Sequence, residues 1–151
     1  MKPLLTCKLR TAGLASVNSA KFGLVRRNAD GSKRAHQGID LQASPNTDVF
    51  AIDDGVIVGV NLGLDGYGYT ATLKFGDHYA FYAHLSKVLV KTGESVKAGK
   101  LIAFTGSTGN AKGMDTINKG SHLHFEIRTK QNCGLGLDGR LDPLEFVELD
   151  K

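Results

Sequence analysis

The apolar residues of this chain fall in short runs, and these runs constrain the fold more than any other feature. Most of them end within a few residues at Gly, Asp or Asn, and the 151 residues include 19 glycines but only 3 prolines. Short runs rich in β-branched and aromatic residues, bounded by turn formers, are typical of strands. The strand candidates are 49–60, 69–75, 78–85, 101–105 and 122–128. We therefore expect an all-β protein with a mostly antiparallel sheet.

Two local signals add detail to this pattern. Gly76-Asp77 separates the second and third candidate strands, and a connection of two residues suits a tight β-hairpin. Near the C terminus, Asp142 can cap a short helical turn that begins at Pro143 and ends near Phe146.

The length of 151 residues supports one domain with a real core and is short for two. Within it we expect an amino-terminal arm (1–19), a core (20–129) and a carboxy-terminal loop with a short helix (130–151). No apolar stretch approaches the ~20 residues that span a membrane. The first residues also lack the apolar segment of a classical export signal.

The chain is basic, with a formal net charge of +4. Part of this charge is concentrated ahead of residue 36, in Lys21, Arg26, Arg27, Lys33 and Arg34. Such a cluster either favours an anionic partner, such as a bacterial wall or nucleic acid, or forms a solvated loop. Because no nucleic-acid-binding motif accompanies it, we expect no nucleic-acid partner.

The two cysteines, Cys7 and Cys133, do not have the spacing of zinc ligands. A disulfide between them would require an oxidising compartment. That disulfide and two reduced thiols are both consistent with the sequence.

Four of the five histidines lie in three compact clusters, at 36–40, 82–86 and 121–126. Catalytic zinc is commonly held by three His, Asp or Glu side chains, with water in the fourth position. Two histidines and one aspartate would fill this set. The other two clustered histidines would then remain for proton transfer.

Alternation along 122–128 separates an apolar face from a polar face. The polar face carries His122, His124, Glu126 and Arg128. His122 and His124 are about 6.6 Å apart along a strand, so one can bind a metal while the other reaches its water. Glu126 either orients a ligand or pairs with Arg128.

The other two clusters differ in how simply they can reach a metal. The same alternation along 78–85 places His84 with Tyr82, on the face opposite Leu85. His78, at the far end and roughly 20 Å away, is left out of the site. His36 and Asp40 would be about 13 Å apart in an extended strand, but a bend at Gly38 would bring them together.

The three clusters together resemble the lysostaphin-like, or LytM-type, zinc metallopeptidases, which cut peptidoglycan peptides. The resemblance covers roughly residues 20 to 129 and includes 34–40, 51–57, 82–85, 105–109 and 120–126. It implies that His36, Asp40 and His124 bind one zinc ion per chain and that His84 and His122 are the catalytic pair. It also implies a lysostaphin-like β fold of barrel-sandwich character with an open groove over the metal.

Two features bear on how far the resemblance extends. The segment between Gly109 and Gly120 is longer than the usual loop, which leaves substrate preference open. Some members of the family hold an upstream asparagine on the zinc as a latency plug, and Asn18 and Asn28 are the candidates here. We expect an active form with water on the metal.

The sequence therefore predicts a zinc endopeptidase that hydrolyses cross-links or stem peptides of bacterial peptidoglycan, in the periplasm or the extracellular wall. His122 would carry the proton from zinc-bound water to the leaving amine, while His84 would stabilise the oxyanion or share the proton transfer. An antibacterial effector, with an immunity protein as partner, and a phage lysin are two settings for this activity. We expect a monomer.

Two other classes compete with this interpretation. The first is a metal-free or latent regulator of wall hydrolases, a role of relatives that have lost ligands, whereas this chain retains all of them. The second is a biotinyl or lipoyl carrier, because 90–101 is similar to half of such a barrel. The lysine motifs that carriers modify, Met-Lys-Met and Asp-Lys-Ala, are absent from the sequence.

Overall fold

The structure is a computed structural model that describes residues 2–4, 20–116 and 119–149. Its strands, in chain order, are β1 (Lys2–Leu4), β2 (Gly23–Arg27), β3 (Lys33–His36), β4 (Ile39–Gln42), β5 (Asp48–Phe50), β6 (Gly55–Asn61), β7 (Tyr69–Phe75), β8 (His78–Val88), β9 (Ser95–Val96), β10 (Leu101–Thr105), β11 (His122–Arg128), β12 (Arg140–Leu141) and β13 (Val147–Leu149). Short 3₁₀ turns span Gly109–Ala111 and Pro143–Glu145.

Most of these strands form one nine-stranded antiparallel sheet. Its main path runs β12-β11-β8-β7-β6-β9, while β4 pairs with β11 and β10 joins β5 to β8. The β2–β3 hairpin stands apart from it, and β1 pairs in parallel with β13. The expected all-β, mostly antiparallel fold is confirmed.

The core lies against one face of this sheet. On β11 the apolar side chains Leu123, Phe125 and Ile127 are fully buried, as the alternation predicts. Each such side chain contributes about 1.5–3 kcal/mol relative to exposure. The opposite face of β11 is polar, and it carries the candidate site.

The two local predictions are also confirmed. Phe75 pairs with His78 across the Gly76-Asp77 turn, where Gly76 takes a φ of 54°. At the other turn, the Asp142 side chain accepts a hydrogen bond of 3.0 Å from the Leu144 backbone N–H, so it caps the 3₁₀ turn.

The prediction of one strand over 49–60 is wrong, because a turn at 51–54 divides it into β5 and β6. The Asp53 carboxylate accepts from the Asp54 backbone N–H at 2.8 Å, and Asp54 accepts from the Ala98 backbone N–H at 2.8 Å. These bonds hold the chain in a turn, after which β6 pairs with β7 instead of continuing beside β10.

A bulge in β8 overturns the face assigned to His84. Tyr69 pairs with Leu85 and Ala71 with Tyr82, so two β8 residues oppose one residue of β7. His84 has a φ of 59°, a left-handed conformation that costs a non-glycine residue about 1 kcal/mol. As a result Leu85 joins Tyr82 in the core, and His84 turns to the polar side.

Several other expectations are not tested by the fold. The division at residues 19 and 129 stays a prediction. Cys7 and Asn18 lie outside the described residues, whereas Cys133 is a free thiol. Across the described ranges, no helix is long and apolar enough to cross a membrane.

Candidate metal centre

A polar pocket of about 220 Å³ brings the three histidine clusters together. Antiparallel pairing of β4 with β11 sets Asp40 opposite His124. Gly38 lies between β3 and β4 so close to the Phe125 carbonyl that a Cβ would clash, and the chain bends there to bring in His36. The pocket is lined by Arg26, Ala35, His36, Gln37, Asp40, Tyr67, His84, Asn110, Met114, His122 and His124.

One carboxylate oxygen lies at the centre of this pocket. Asp40 Oδ1 is 3.1 Å from His36 Nε2 and 3.0 Å from His124 Nδ1. It is also 3.6 Å from His122 Nε2. Ligand atoms of His36, Asp40 and His124 all lie within 4.8 Å of one another.

Each of the four clustered imidazoles is held from outside through one ring nitrogen. The acceptors are carbonyl oxygens for three of them and a carboxylate for the fourth: Lys21 O for His36 Nδ1 (2.8 Å), Thr108 O for His84 Nδ1 (2.8 Å), Gly120 O for His122 Nδ1 (2.8 Å) and Glu126 Oε2 for His124 Nε2 (2.7 Å). The second ring nitrogen of each is thereby left for the pocket. Such outer acceptors fix the tautomer and orientation of metal-binding histidines.

This donor set fits zinc. Two imidazole nitrogens and one carboxylate oxygen are the three protein ligands of many catalytic zinc sites, which keep the fourth position open. His84 and His122 line the same pocket, with ring centroids 5.1 Å apart.

The charges in the pocket follow from burial and pairing. Burial alone would raise the pKa of Asp40, but hydrogen bonds from His124 and His36 hold it well below its usual value. Burial would lower the pKa of His124, but bonds to Asp40 and Glu126 raise it to about 9. His84 has no such carboxylate partner, so burial and the neighbouring His122 lower its pKa to about 4.

Glu126 orients His124 and also pairs with Arg128, so both roles that the sequence suggested are present. Its Oε1 accepts from Arg128 Nε at 2.8 Å and from Arg140 Nε at 2.7 Å, while Oε2 accepts from His124. Despite its burial, these partners lower the pKa of Glu126 to about 2. Arg140 was not singled out from the sequence, because no local pattern links it to a residue 14 positions away.

Arg26 is a second contact that sequence reasoning missed. Its Nη2 donates to Asp40 Oδ2 at 2.9 Å, on the oxygen that faces away from the imidazoles. This bond leaves Oδ1 as the oxygen directed at the other ligands. Arg26 belonged to the recognised basic cluster, but nothing in the spacing distinguished it from its exposed neighbours Arg27, Lys33 and Arg34.

A chain of contacts connects the pocket wall to the carboxy-terminal segment. Gln37 Nε2 donates to the Tyr67 hydroxyl, and Gln37 Oε1 accepts from the Gly136 backbone N–H at 2.6 Å. The Tyr67 ring stacks on His124 with a centroid distance of 5.4 Å. Burial and the nearby Glu126 raise the pKa of Tyr67 to about 12, so its hydroxyl keeps its proton.

The remaining candidates lie at the edge of the pocket or outside it. From the long segment after Gly109, Asn110 and Met114 line the pocket. The suggestion that Asn28 plugs the metal is wrong, because Asn28 is exposed and its amide donates to Ser32 Oγ at 3.0 Å. His78 lies away from the pocket, against Phe75 and Phe146, as expected.

Known proteins share this arrangement of sequence and fold. A model of peptidase family M23 matches residues 34–134. An uncharacterized metalloprotease of Haemophilus influenzae is 40% identical over 111 residues, which cover 72% of this chain and 22% of that protein. Murein hydrolase activator NlpD of Salmonella dublin is 38% identical over 109 residues, or 72% of this chain and 27% of that protein. The chain thus spans about a quarter of the length of these relatives.

Among solved structures, the catalytic domain of the antimicrobial peptidase lysostaphin from Staphylococcus simulans has the same fold. The TM-score is 0.68 and the sequence identity 32%, with 83% of this chain and 87% of that domain covered. The lysostaphin-like fold expected from the sequence is confirmed.

Proposed function

Because the chain belongs to peptidase family M23, we propose that it is a zinc-dependent endopeptidase that hydrolyses peptide bonds of bacterial peptidoglycan. The observation that carries this proposal is the set of four imidazoles, each held through one nitrogen and presenting the other to a single pocket. A purely structural cluster has no need of that shared orientation.

His36 Nε2, Asp40 Oδ1 and His124 Nδ1 would hold one zinc ion. Zinc bound by such ligands acidifies its water and polarises the scissile carbonyl. Arg26 favours binding through a single Asp40 oxygen, because its guanidinium occupies Oδ2.

His122 and His84 would handle the protons. Each donates Nδ1–H to a backbone carbonyl, so its neutral form carries a lone pair on Nε2. In hydrolysis His122 Nε2 accepts a proton as the water oxygen bonds to the carbonyl carbon, and it returns that proton to the amine nitrogen as the C–N bond breaks. The low pKa of His84 makes it a resting acceptor, which supports a share in proton transfer over a permanent oxyanion donor.

A regulator of wall hydrolases remains the second candidate, favoured by the similarity to murein hydrolase activators. A regulator has no need of zinc or turnover. Zinc content and peptide release therefore separate the two candidates.

The setting of the activity is also a proposal. We place it in the periplasm or the extracellular wall, where peptidoglycan lies, and a lipoprotein of Escherichia coli is 36% identical over 120 residues. The effector with its immunity protein, the phage lysin and the monomeric state stay predictions.

The experiment compares two neighbouring histidines of one strand. His124→Ala should lose both zinc and the release of peptides from purified sacculi, because it removes a proposed ligand. His122→Ala should keep close to one zinc per chain and lose release, while His78→Ala, outside the pocket, should retain both. Metal analysis and mass spectrometry of the fragments measure these outcomes.

Chelation gives a second arm of the same test. Removing the metal should stop peptide release by the unmodified protein, and added zinc should restore it. Release that is indifferent to chelators would contradict the metallopeptidase, and zinc binding without release from any sacculus would favour the regulator.

A further inference from the structure

A second depression continues from the metal pocket along the polar face of the sheet. Tyr67 lines both the metal pocket and a neighbouring cavity of about 380 Å³. A third cavity of about 180 Å³ follows, and it shares five lining residues with the second: Asn61, Thr70, Phe81, Arg128 and Asn132. We call the second and third cavities together the side groove.

Arg128 is a buried cation in the floor of this groove. Its side chain is only 6% exposed, and its guanidinium carbon lies 3.9 Å from the centroid of the Phe81 ring. Nε donates to Glu126 at 2.8 Å, and Nη1 donates to the Gln131 carbonyl at 3.2 Å. Within the described part of the chain, these bonds occupy two of the five N–H groups of a guanidinium.

The charges beneath the groove do not balance. Arg128 and Arg140 both donate to the same Glu126 oxygen, so two permanent cations share one carboxylate. The Arg140 side chain is 1% exposed, and Nη1 is further bonded to the carbonyls of Gly134 and Gly136. Arg128 is therefore the cation of this pair that faces the groove. The other charged residue lining the groove is Asp65, and it is exposed.

We propose that Arg128 is a recognition site for a carboxylate of the substrate, and that the side groove takes acidic stem peptides in preference to glycine bridges. A guanidinium with unused N–H groups matches a carboxylate, and a dry site strengthens the bond. The amides and hydroxyls that share the groove offer partners to a peptide backbone. The assignment of peptide cleavage rests on the proposed function, whereas the binding preference can be measured without it.

Strand spacing sets where this carboxylate lies relative to the cleaved bond. His124 and Arg128 are on the same face of β11, four residues apart, or roughly 13 Å along the strand. An extended peptide covers this distance in about four residues. A carboxylate within that reach of the scissile bond contacts Arg128, and an uncharged glycine bridge has none to offer.

The test uses two soluble stem peptides that differ in one group, a free α-carboxylate on the diaminopimelate residue or its amide. Titration calorimetry on the zinc-loaded protein should give roughly 10- to 100-fold tighter binding of the free carboxylate, the usual range for a hydrogen bond to a charged group. Arg128→Gln should bring the two affinities close to parity. Lys130→Gln, which removes an exposed cation outside the groove, should keep the full preference.

The ratio of the two affinities is the readout, because Arg128 also contacts Glu126 and its loss can lower zinc content. A ratio within one variant does not depend on the fraction of loaded protein. Equal affinities in the unmodified protein, no binding of either peptide, or a preference that persists in Arg128→Gln would each overturn the proposal.

A measurement on the unmodified protein covers the case in which Arg128→Gln does not fold. The guanidinium nitrogen resonances of Arg128 should shift when the free-carboxylate peptide is added and should stay in place with the amide; identical shifts with both would refute the site. Cleavage without preference would refute the carboxylate site alone, and preference without cleavage would refute the peptidase alone.

Discussion

Two buried carboxylates, Asp40 and Glu126, lie on opposite sides of the His124 ring, and their partners differ in kind. The central oxygen of Asp40 is surrounded by three imidazole nitrogens, and Arg26 contacts its other oxygen. Glu126 accepts from two guanidiniums and from the far side of His124.

The difference shows what each carboxylate can exchange. An imidazole gives up its proton near neutral pH and then offers a lone pair to a metal. A guanidinium keeps its proton at any pH that a protein survives. Asp40 is therefore placed in surroundings that can trade protons for a metal ion, whereas Glu126 is held in permanent ion pairs that fix the direction of His124.

The largest expected effect comes from removing the exchangeable carboxylate. Asp40→Asn should weaken zinc binding by about 1000-fold or more, beyond the 10- to 100-fold loss typical of an outer partner. Competition with a chromophoric chelator measures the affinity, and Asp138→Asn, an exposed carboxylate, is the matched control. Zinc binding at unmodified strength in Asp40→Asn would end the proposed ligand set.

Glu126→Gln should act less on zinc and more on the fold. We expect zinc affinity to fall about 10- to 100-fold, because His124 loses its orienting acceptor. Two arginines would then lack their carboxylate, so the free energy of unfolding of the metal-free protein should fall by about 3 kcal/mol. Chemical denaturation of both metal-free variants checks the contrast, and a greater loss of stability in Asp40→Asn than in Glu126→Gln would reverse our assignment.

Arg26→Gln should produce the smallest of the three effects. Its side chain is 26% exposed, and a partly solvated ion pair contributes about 1 kcal/mol or less. We expect zinc affinity to change by less than about tenfold. The absorption spectrum of the cobalt-substituted protein should change in intensity if the second oxygen of Asp40 then joins the metal, and an unchanged spectrum would show that Arg26 does not limit its coordination.

The elements that were predicted correctly depend on neighbours in sequence. Alternation along β11 sorts its core residues from its polar residues, and the Gly76-Asp77 turn and the cap at Asp142 are equally local. The bulge that turns His84 was not predictable in this way, because it arises from the register between β7 and β8. No signal within β8 alone indicates that two of its residues oppose one residue of β7.

Long-range polar contacts set a similar limit on predicting the site. The histidines and Asp40 stand in recognisable clusters, so the sequence was enough to propose them. Arg140 and Gly136 reach the site from the carboxy-terminal segment, and Gly136 bonds to a side chain 99 positions earlier. Such partners are chosen by the folded sheet, and neither periodicity nor spacing encodes them.

The candidate ligands are two nitrogens and one oxygen, and none is a sulfur atom. Peroxides and thiol-disulfide exchange damage metal sites by consuming thiolates, a reaction that imidazole and carboxylate donors do not undergo. The centre is therefore chemically suited to an oxidising compartment. Met114, on the pocket wall, is a side chain that an oxidant would modify there, making one wall more polar while every ligand remains.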